Sequence, residues 1–172
     1  IIKKQKKSLL ITNPTCSFYY TETIHQLRVR IEHDHEKNGH QVFVVTSCSE
    51  NEGKSTVAAN IALSLAQKHR RVLLVDADLR KPAQALIFDR PCMPEKGLHT
   101  LLTGEVTEKT LRESIVHDES TGLNVLYTGM LRRFKMESMS VDSFRPTIEA
   151  LRKKFSYIII DTPPLGLFAD GQ

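Results

Sequence analysis

The sequence predicts an α/β protein of three layers, with helices on both faces of a mostly parallel sheet. Two observations carry this. Val42–Val45, Val72–Val75 and Tyr157–Ile160 are short runs that are apolar throughout rather than alternating, as strands buried on both faces require. Between them lie segments with apolar residues at helical spacing, and strand alternating with helix marks parallel strands joined by crossovers. At 172 residues the chain is long enough for one domain with its own core.

Taken in order, the chain opens on a basic segment with Lys3, Lys4, Lys6 and Lys7. Residues 1–20 read as a juxtamembrane-like stub, its lysines on the cytoplasmic side of a membrane helix expected further upstream. Thr21–Asp34 is expected to be a helix, with Ile24, Leu27 and Ile31 on one face and Glu22 in its first turn. Tyr19 and Tyr20 just before it read as packing residues. Val42–Val45 is a buried strand, 54–68 a helix on Val57, Ala58, Ile61 and Leu65, and Val72–Val75 a second buried strand. Leu98–Leu102 predicts a short helix ended near Gly104, and Leu123–Tyr127 alternates as a strand. Ile148–Phe155 reads as a helix and Tyr157–Ile160 as a fourth strand. The domain is expected over 21–172, truncated at its C-terminus.

Composition narrows the function classes. Forty per cent apolar and 26% charged residues are ordinary for a soluble domain, and a net charge of +4 gives no reason to expect a nucleic-acid partner. The three cysteines, Cys16, Cys48 and Cys92, have neither C-x-x-C spacing nor an even count. That argues against a disulfide framework or a zinc site and fits a reducing cytoplasm. No apolar run approaches the roughly 20 residues that span a bilayer.

In parallel sheets ligands gather at the carboxyl ends of the strands, and three strands here bring polar chemistry to that end. The first leads through a loop to Glu52-Gly53-Lys54-Ser55-Thr56 at a helix start, the second half of a phosphate-binding loop. A helix N-terminus offers unpaired N–H groups and partial positive charge to a phosphate, and glycine permits close backbone approach. Ser49, Asn51, Glu52, Gly53, Lys54, Ser55 and Thr56 are therefore the expected nucleotide-binding residues. Lys54 would reach the β- and γ-phosphates, and the Ser55 hydroxyl would bind Mg²⁺. Asn51 occupies a loop position where asparagine tolerates left-handed backbone. The second strand ends in Asp76-Ala77-Asp78, two carboxylates expected on one side of an extended segment. The third ends in Asp161-Thr162-Pro163-Pro164, an acid carried by an apolar strand to the phosphate site. Each feature alone is common at a strand end; the three in this order point to an ATP–Mg²⁺ site.

Val72–Pro82 (VLLVDADLRKP), with Ser47–Asn60 and Tyr157–Pro164 (YIIIDTPP), resembles the bacterial tyrosine kinases of capsule and exopolysaccharide assembly. Gly97–Glu105 is similar to that family's G-L-x-x-L-L-x-G-E stretch, and Glu22–Ile31 to its oligomerisation helix. The resemblance implies a P-loop NTPase fold and an ATP-dependent protein-tyrosine autokinase. Catalysis would rest on Lys54, Asp76 and Asp78, with Asp76 as general base. Ser55, Asp76, Asp78 and Asp161 would hold Mg²⁺, and Glu22 and Arg28 would mediate self-association into a homo-oligomer. It further implies tyrosine-containing protein substrates, a membrane polysaccharide co-polymerase as activator, fused or separate, and a place at the inner face of the plasma membrane. The sequence departs from the family pattern at His25, Arg30, Glu50, Asn51 and Arg132–Met136. Two other readings stay open: a nucleotide-binding scaffold without kinase activity, and a partitioning-type ATPase. The latter group carries a lysine early in the loop, and here no lysine lies between Thr46 and Glu52.

Overall fold

The computed structural model describes residues 9–130 and 141–165. The lysines of the first seven residues, Arg132–Glu137 and Asp170 lie outside the described residues. Five strands form one sheet: β1 (Val42–Val45), β2 (Val72–Asp76), β3 (Val116–His117), β4 (Asn124–Leu126) and β5 (Tyr157–Asp161). Their spatial order is β1-β5-β2-β4-β3, parallel except for the β3–β4 pair. The helices are α1 (Phe18–Asn38), α2 (Lys54–Ala66), α3 (Gln84–Ile87), α4 (Leu98–Thr103), α5 (Glu108–Ser114) and α6 (Val141–Lys154).

Alternation along the two central strands divides the core into the expected layers. Val72, Leu74, Tyr157 and Ile159 join a cluster with Ala58, Ala59, Ala62 and Leu63 of α2, against which Leu27 and Ile31 of α1 pack. Leu73, Val75 and Ile158 join a second cluster with Leu98, Leu101, Leu111 and Leu151 from α4, α5 and α6. α2 lies between α1 and the sheet, which explains why even its polar residues Asn60 and Ser64 are fully buried. The Asn60 side chain satisfies itself with distant groups: its Oδ1 accepts from Ile11 N at 2.9 Å, and its Nδ2 donates to Leu9 O at 2.9 Å and to Tyr20 Oη at 3.1 Å. Residues 9–17, within the segment read above as a basic stub, are thereby docked on the domain, and Leu10 enters the core.

Four expectations need correction. β1 lies at the edge of the described sheet, and Val44 is 59% exposed, so this strand is not buried on both faces. α1 begins three residues earlier than expected, because Ser17 caps it by accepting from Tyr20 N. Glu22 therefore lies past the first turn, which carries no acid. Tyr19 does not pack; it is 84% exposed. α3, α5 and the two-residue β3 have no periodicity long enough to announce them.

The stretch Gly97–Glu105 serves packing. Gly97 N-caps α4 where two backbones meet, with Leu98 N donating to Tyr127 O at 2.8 Å and His99 N to Thr128 O at 3.1 Å. A Cβ on Gly97 would overlap the backbone of Tyr127 and Gly129. Gly97→Ala should therefore lower unfolding stability by about 1–3 kcal/mol in denaturant titration. Lys109→Ala, on the exposed face of α5, should stay within about 0.5 kcal/mol of the parent. Equal midpoints for the two variants would contradict the close approach.

Candidate functional site

The carboxyl ends of β1, β2 and β5 lie side by side, and the register sets Asp76 directly opposite Asp161, the last residue of each strand. The loop after β1 delivers α2 to the same edge. Gly53 stands at its N-cap with φ 80°, a left-handed conformation that glycine adopts without strain, and it has no side chain to cap the helix. Asn51 is also left-handed at φ 63°. The first-turn N–H groups of α2 are thus turned toward the loop with the partial positive charge of the helix end behind them.

Lys54 folds back from this turn onto Asp161. Its ammonium donates to Asp161 Oδ1 and lies 3.3 Å from Ser55 Oγ; its side chain is 7% exposed, and that of Asp161 is fully buried. Gln84 closes the arrangement. Its Nε2 donates to Asp161 Oδ2 at 2.9 Å and to Ser55 O at 2.9 Å, bridging the start of α2 to the end of β5. Sequence reasoning missed Gln84, and no motif or spacing marks it.

Asp76 is fully buried. Its Oδ2 accepts from Ala83 N and Gln84 N, each at 3.1 Å, and its Oδ1 from Asp78 N at 3.2 Å. This carboxylate therefore shapes the loop that brings Gln84 back to the site. Burial, with help from the neighbouring Asp161 charge, pushes Asp76 up to about 7, against the opposing pull of those three N–H groups. β2 ends at Asp76, and Ala77 N still donates to Asp161 O at 2.8 Å; Asp78 is buried just beyond, its Oδ1 accepting from Lys81 N at 3.0 Å.

The remaining expected residues take different parts. Thr56 is buried in the first turn of α2. Glu52 turns back into its own loop, accepting from Cys48 N at 3.1 Å, Ser49 N at 3.3 Å and Ser49 Oγ at 2.9 Å, and these donors hold its carboxyl below the usual range. Ser49 and Glu52 thus stiffen the loop. Arg28, expected to face a neighbouring subunit, is turned inward: Nη1 donates to Ser64 Oγ at 3.3 Å, and Nε lies 3.3 Å from Glu32 Oε1. Its charge is engaged within the chain, while Glu22 pairs with His25 at 3.5 Å on the outer surface.

Among the described residues no group of three or more His, Cys, Asp or Glu side chains is disposed to hold a metal ion. Mg²⁺ needs fewer, because it keeps several waters and is held by one or two carboxylates together with substrate phosphates. The donors at this edge are hard oxygens, Ser55 Oγ and Asp161, and buried Gln84 Oε1 beside them has no partner among the described residues. An acceptor poised next to Asp161 suits a metal-bound water, so the residues fit the ion. No helix among the described residues is long and apolar enough to cross a membrane.

The elevated Asp76 pKa has a signed consequence. Between about pH 4 and 7 the folded protein keeps a proton there that the unfolded chain has released. The corresponding stability is complete below pH 4 and disappears as pH rises through 7. In Mg²⁺-free protein, the unfolding free energy should fall across this window by at most about 1.4 kcal/mol per pH unit from this group. Asp76→Asn should flatten that part of the curve; parallel curves for parent and variant would refute the assignment.

The fold and site have counterparts among known proteins. Residues 44–170 match the AAA domain family. The chain is 30% identical over 171 residues to a tyrosine-protein kinase of Acinetobacter johnsonii, covering 99% of this chain and 23% of the relative. It is 34% identical over 150 residues to the tyrosine-protein kinase CpsD of Streptococcus agalactiae, covering 87% of this chain and 63% of that one. Among solved structures the VpsO kinase domain superimposes with a TM-score of 0.69 at 32% identity, covering 87% of this chain and 74% of its own. The chain thus spans about a quarter of one curated relative and under two thirds of the other. With the phosphate loop, the Asp76 strand end and the Asp161 strand end gathered on one sheet edge, this chain belongs to the bacterial tyrosine-protein kinase family of P-loop nucleotide-binding proteins.

Proposed function

We propose that this chain is the ATP-dependent catalytic domain, over 21–172, of a protein-tyrosine autokinase acting in capsule or exopolysaccharide assembly. The observation that carries the proposal is the Lys54–Asp161 contact beneath an uncapped helix N-terminus, with Asp76 opposite on the adjoining strand. In nucleotide-free protein the two charges neutralise each other. When a triphosphate arrives, the Lys54 ammonium turns to its oxygens while the first-turn N–H groups of α2 hold it in register. Ser55 Oγ and Asp161 would hold Mg²⁺, with Asp76 and Asp78 acting through its waters, and the ion would supply neutralisation of the charge that develops on the transferred phosphoryl group. The Gln84 carboxamide keeps Asp161 oriented through the exchange.

Asp76 is suited to receive the phenolic proton of an acceptor tyrosine, since a base works best with a pKa near the working pH. Tyrosine has an ordinary pKa near 10, so the proton leaves as the new P–O bond forms rather than before. Three further parts of the proposal rest on the family resemblance: assembly into a homo-oligomer, activation by a membrane polysaccharide co-polymerase, and a place at the inner face of the plasma membrane. A partitioning-type ATPase draws no support from the loop, where positions 48–50 are Cys, Ser and Glu.

Incubation of the natural full-length protein with Mg–ATP should yield phosphotyrosine on immunoblot. Lys54→Met and Asp76→Asn should each reduce it by at least about a hundredfold, the scale of losing a positioned charge or base. Undiminished phosphotyrosine in both variants would place the chemistry elsewhere, and ATP cleavage without phosphotyrosine would favour the ATPase alternative.

A further inference from the structure

The chain holds four tyrosines, Tyr19, Tyr20, Tyr127 and Tyr157, and all lie among the described residues. Three are committed to the fold. Tyr157 is buried with its ring against those of His35 and His69, at centroid distances of 4.5 and 4.7 Å. Tyr127 is buried beneath the Arg90 guanidinium, 5.2 Å from the ring centre. Tyr20 is half-buried, its hydroxyl accepting from Nδ2 of the fully buried Asn60. Each would have to leave its place to be reached by another protein.

Tyr19 differs in every respect. It is 84% exposed beside Phe18 at 81%, and its hydroxyl has no hydrogen-bond partner among the described residues. Its backbone, by contrast, is fixed. Ser17 caps α1, Thr21 Oγ1 donates to Ser17 O at 3.1 Å, and Thr23 Oγ1 donates to Tyr19 O at 2.9 Å. The following residue is anchored through its contact with Asn60. A rigid helix end thus holds a free phenol out in solvent, with an adjacent aromatic ring for a partner surface to grip. The first turn of α1 carries no acid, and its end of the helix dipole is positive, so added phosphate meets no like charge there.

We propose that Tyr19 is a phosphoacceptor, modified by the nucleotide site of a second copy of this chain. This rests on the kinase function proposed above. Tyr19 Oη attacks the γ-phosphorus of ATP, the bond from that phosphorus to the β,γ-bridging oxygen breaks, and the phenolic proton passes to Asp76 of the attacking copy's partner. The products are phosphotyrosine and ADP. A second copy is the donor in this proposal because Tyr19 is held out in solvent on a capped helix start whose next residue is anchored to Asn60, where another molecule can reach it.

The test is phosphosite mapping by tandem mass spectrometry on the full-length natural protein after incubation with Mg–ATP. A random Glu/Tyr copolymer is included as an independent acceptor. Phosphate is expected on Tyr19 and not on Tyr127 or Tyr157, and Tyr19→Phe should abolish that signal while leaving copolymer phosphorylation unchanged. The fraction of Tyr19 modified per unit time should rise with protein concentration, and a Lys54→Met chain should be labelled at Tyr19 by added Tyr19→Phe enzyme. Copolymer labelling with Tyr19 bare would overturn the acceptor assignment alone. A labelling rate independent of concentration would overturn transfer between copies. If neither copolymer nor chain is labelled, the kinase function fails and this proposal with it.

Discussion

The contact between the Lys54 ammonium and the Asp161 carboxylate is the constraint around which the site is organised. A buried charge left unpaired is strongly destabilising, roughly 3–5 kcal/mol when one partner of such a pair is removed. An empty phosphate site with a lysine pointed into it would carry that penalty. The fold avoids it by ending β5 in an acid at the height where Lys54 arrives, and Gln84 supplies the second hydrogen bond to that acid. The pair is therefore a resting arrangement, stable enough to hold the loop and α2 in place. In the proposed function a triphosphate with its metal would replace it, the same two charges being differently shared.

The sheet register supplies the rest. Parallel pairing of β2 with β5 sets their terminal aspartates opposite one another, two like charges in a dry place. Burial first, and the Asp161 charge in addition, make Asp76 hold its proton more tightly. Its three backbone donors come from the loop it organises, so the carboxylate proposed to take the phenolic proton also fixes Gln84. Substitution there must be read with both parts in mind.

Much of this was legible in the sequence because strand interiors and strand ends follow different rules. The apolar runs at 72–75 and 157–160 required burial, and the acids closing them could lie only at the sheet edge. Gly53 and Asn51 signalled backbone that other residues resist. What stayed hidden depended on tertiary partners. α3 is four residues long and begins where Asp76 caps two of its N–H groups across seven or eight positions, a contact no local pattern encodes. Gln84 looks like any surface glutamine until that turn is made. The resemblance of Glu22–Ile31 to an oligomerisation helix points Arg28 at a neighbouring subunit; Glu32 one turn on and Ser64, reached only through helix packing, engage it within the chain. The run at 42–45 looked as buried as its neighbours, yet edge position is a property of the sheet and not of the strand.

The position of a bound nucleotide tests the role of the Lys54–Asp161 pair most directly. A crystal structure with Mn²⁺ and a non-hydrolysable ATP analogue would locate metal and phosphate by anomalous scattering. The triphosphate should lie over residues 53–56, with Lys54 Nζ moved from Asp161 to its oxygens and the metal between Ser55 Oγ and the Asp161 side of the sheet edge. Nucleotide bound elsewhere, or bound with the Lys54–Asp161 contact intact, would contradict the claim that this pair holds the place of the metal–phosphate complex.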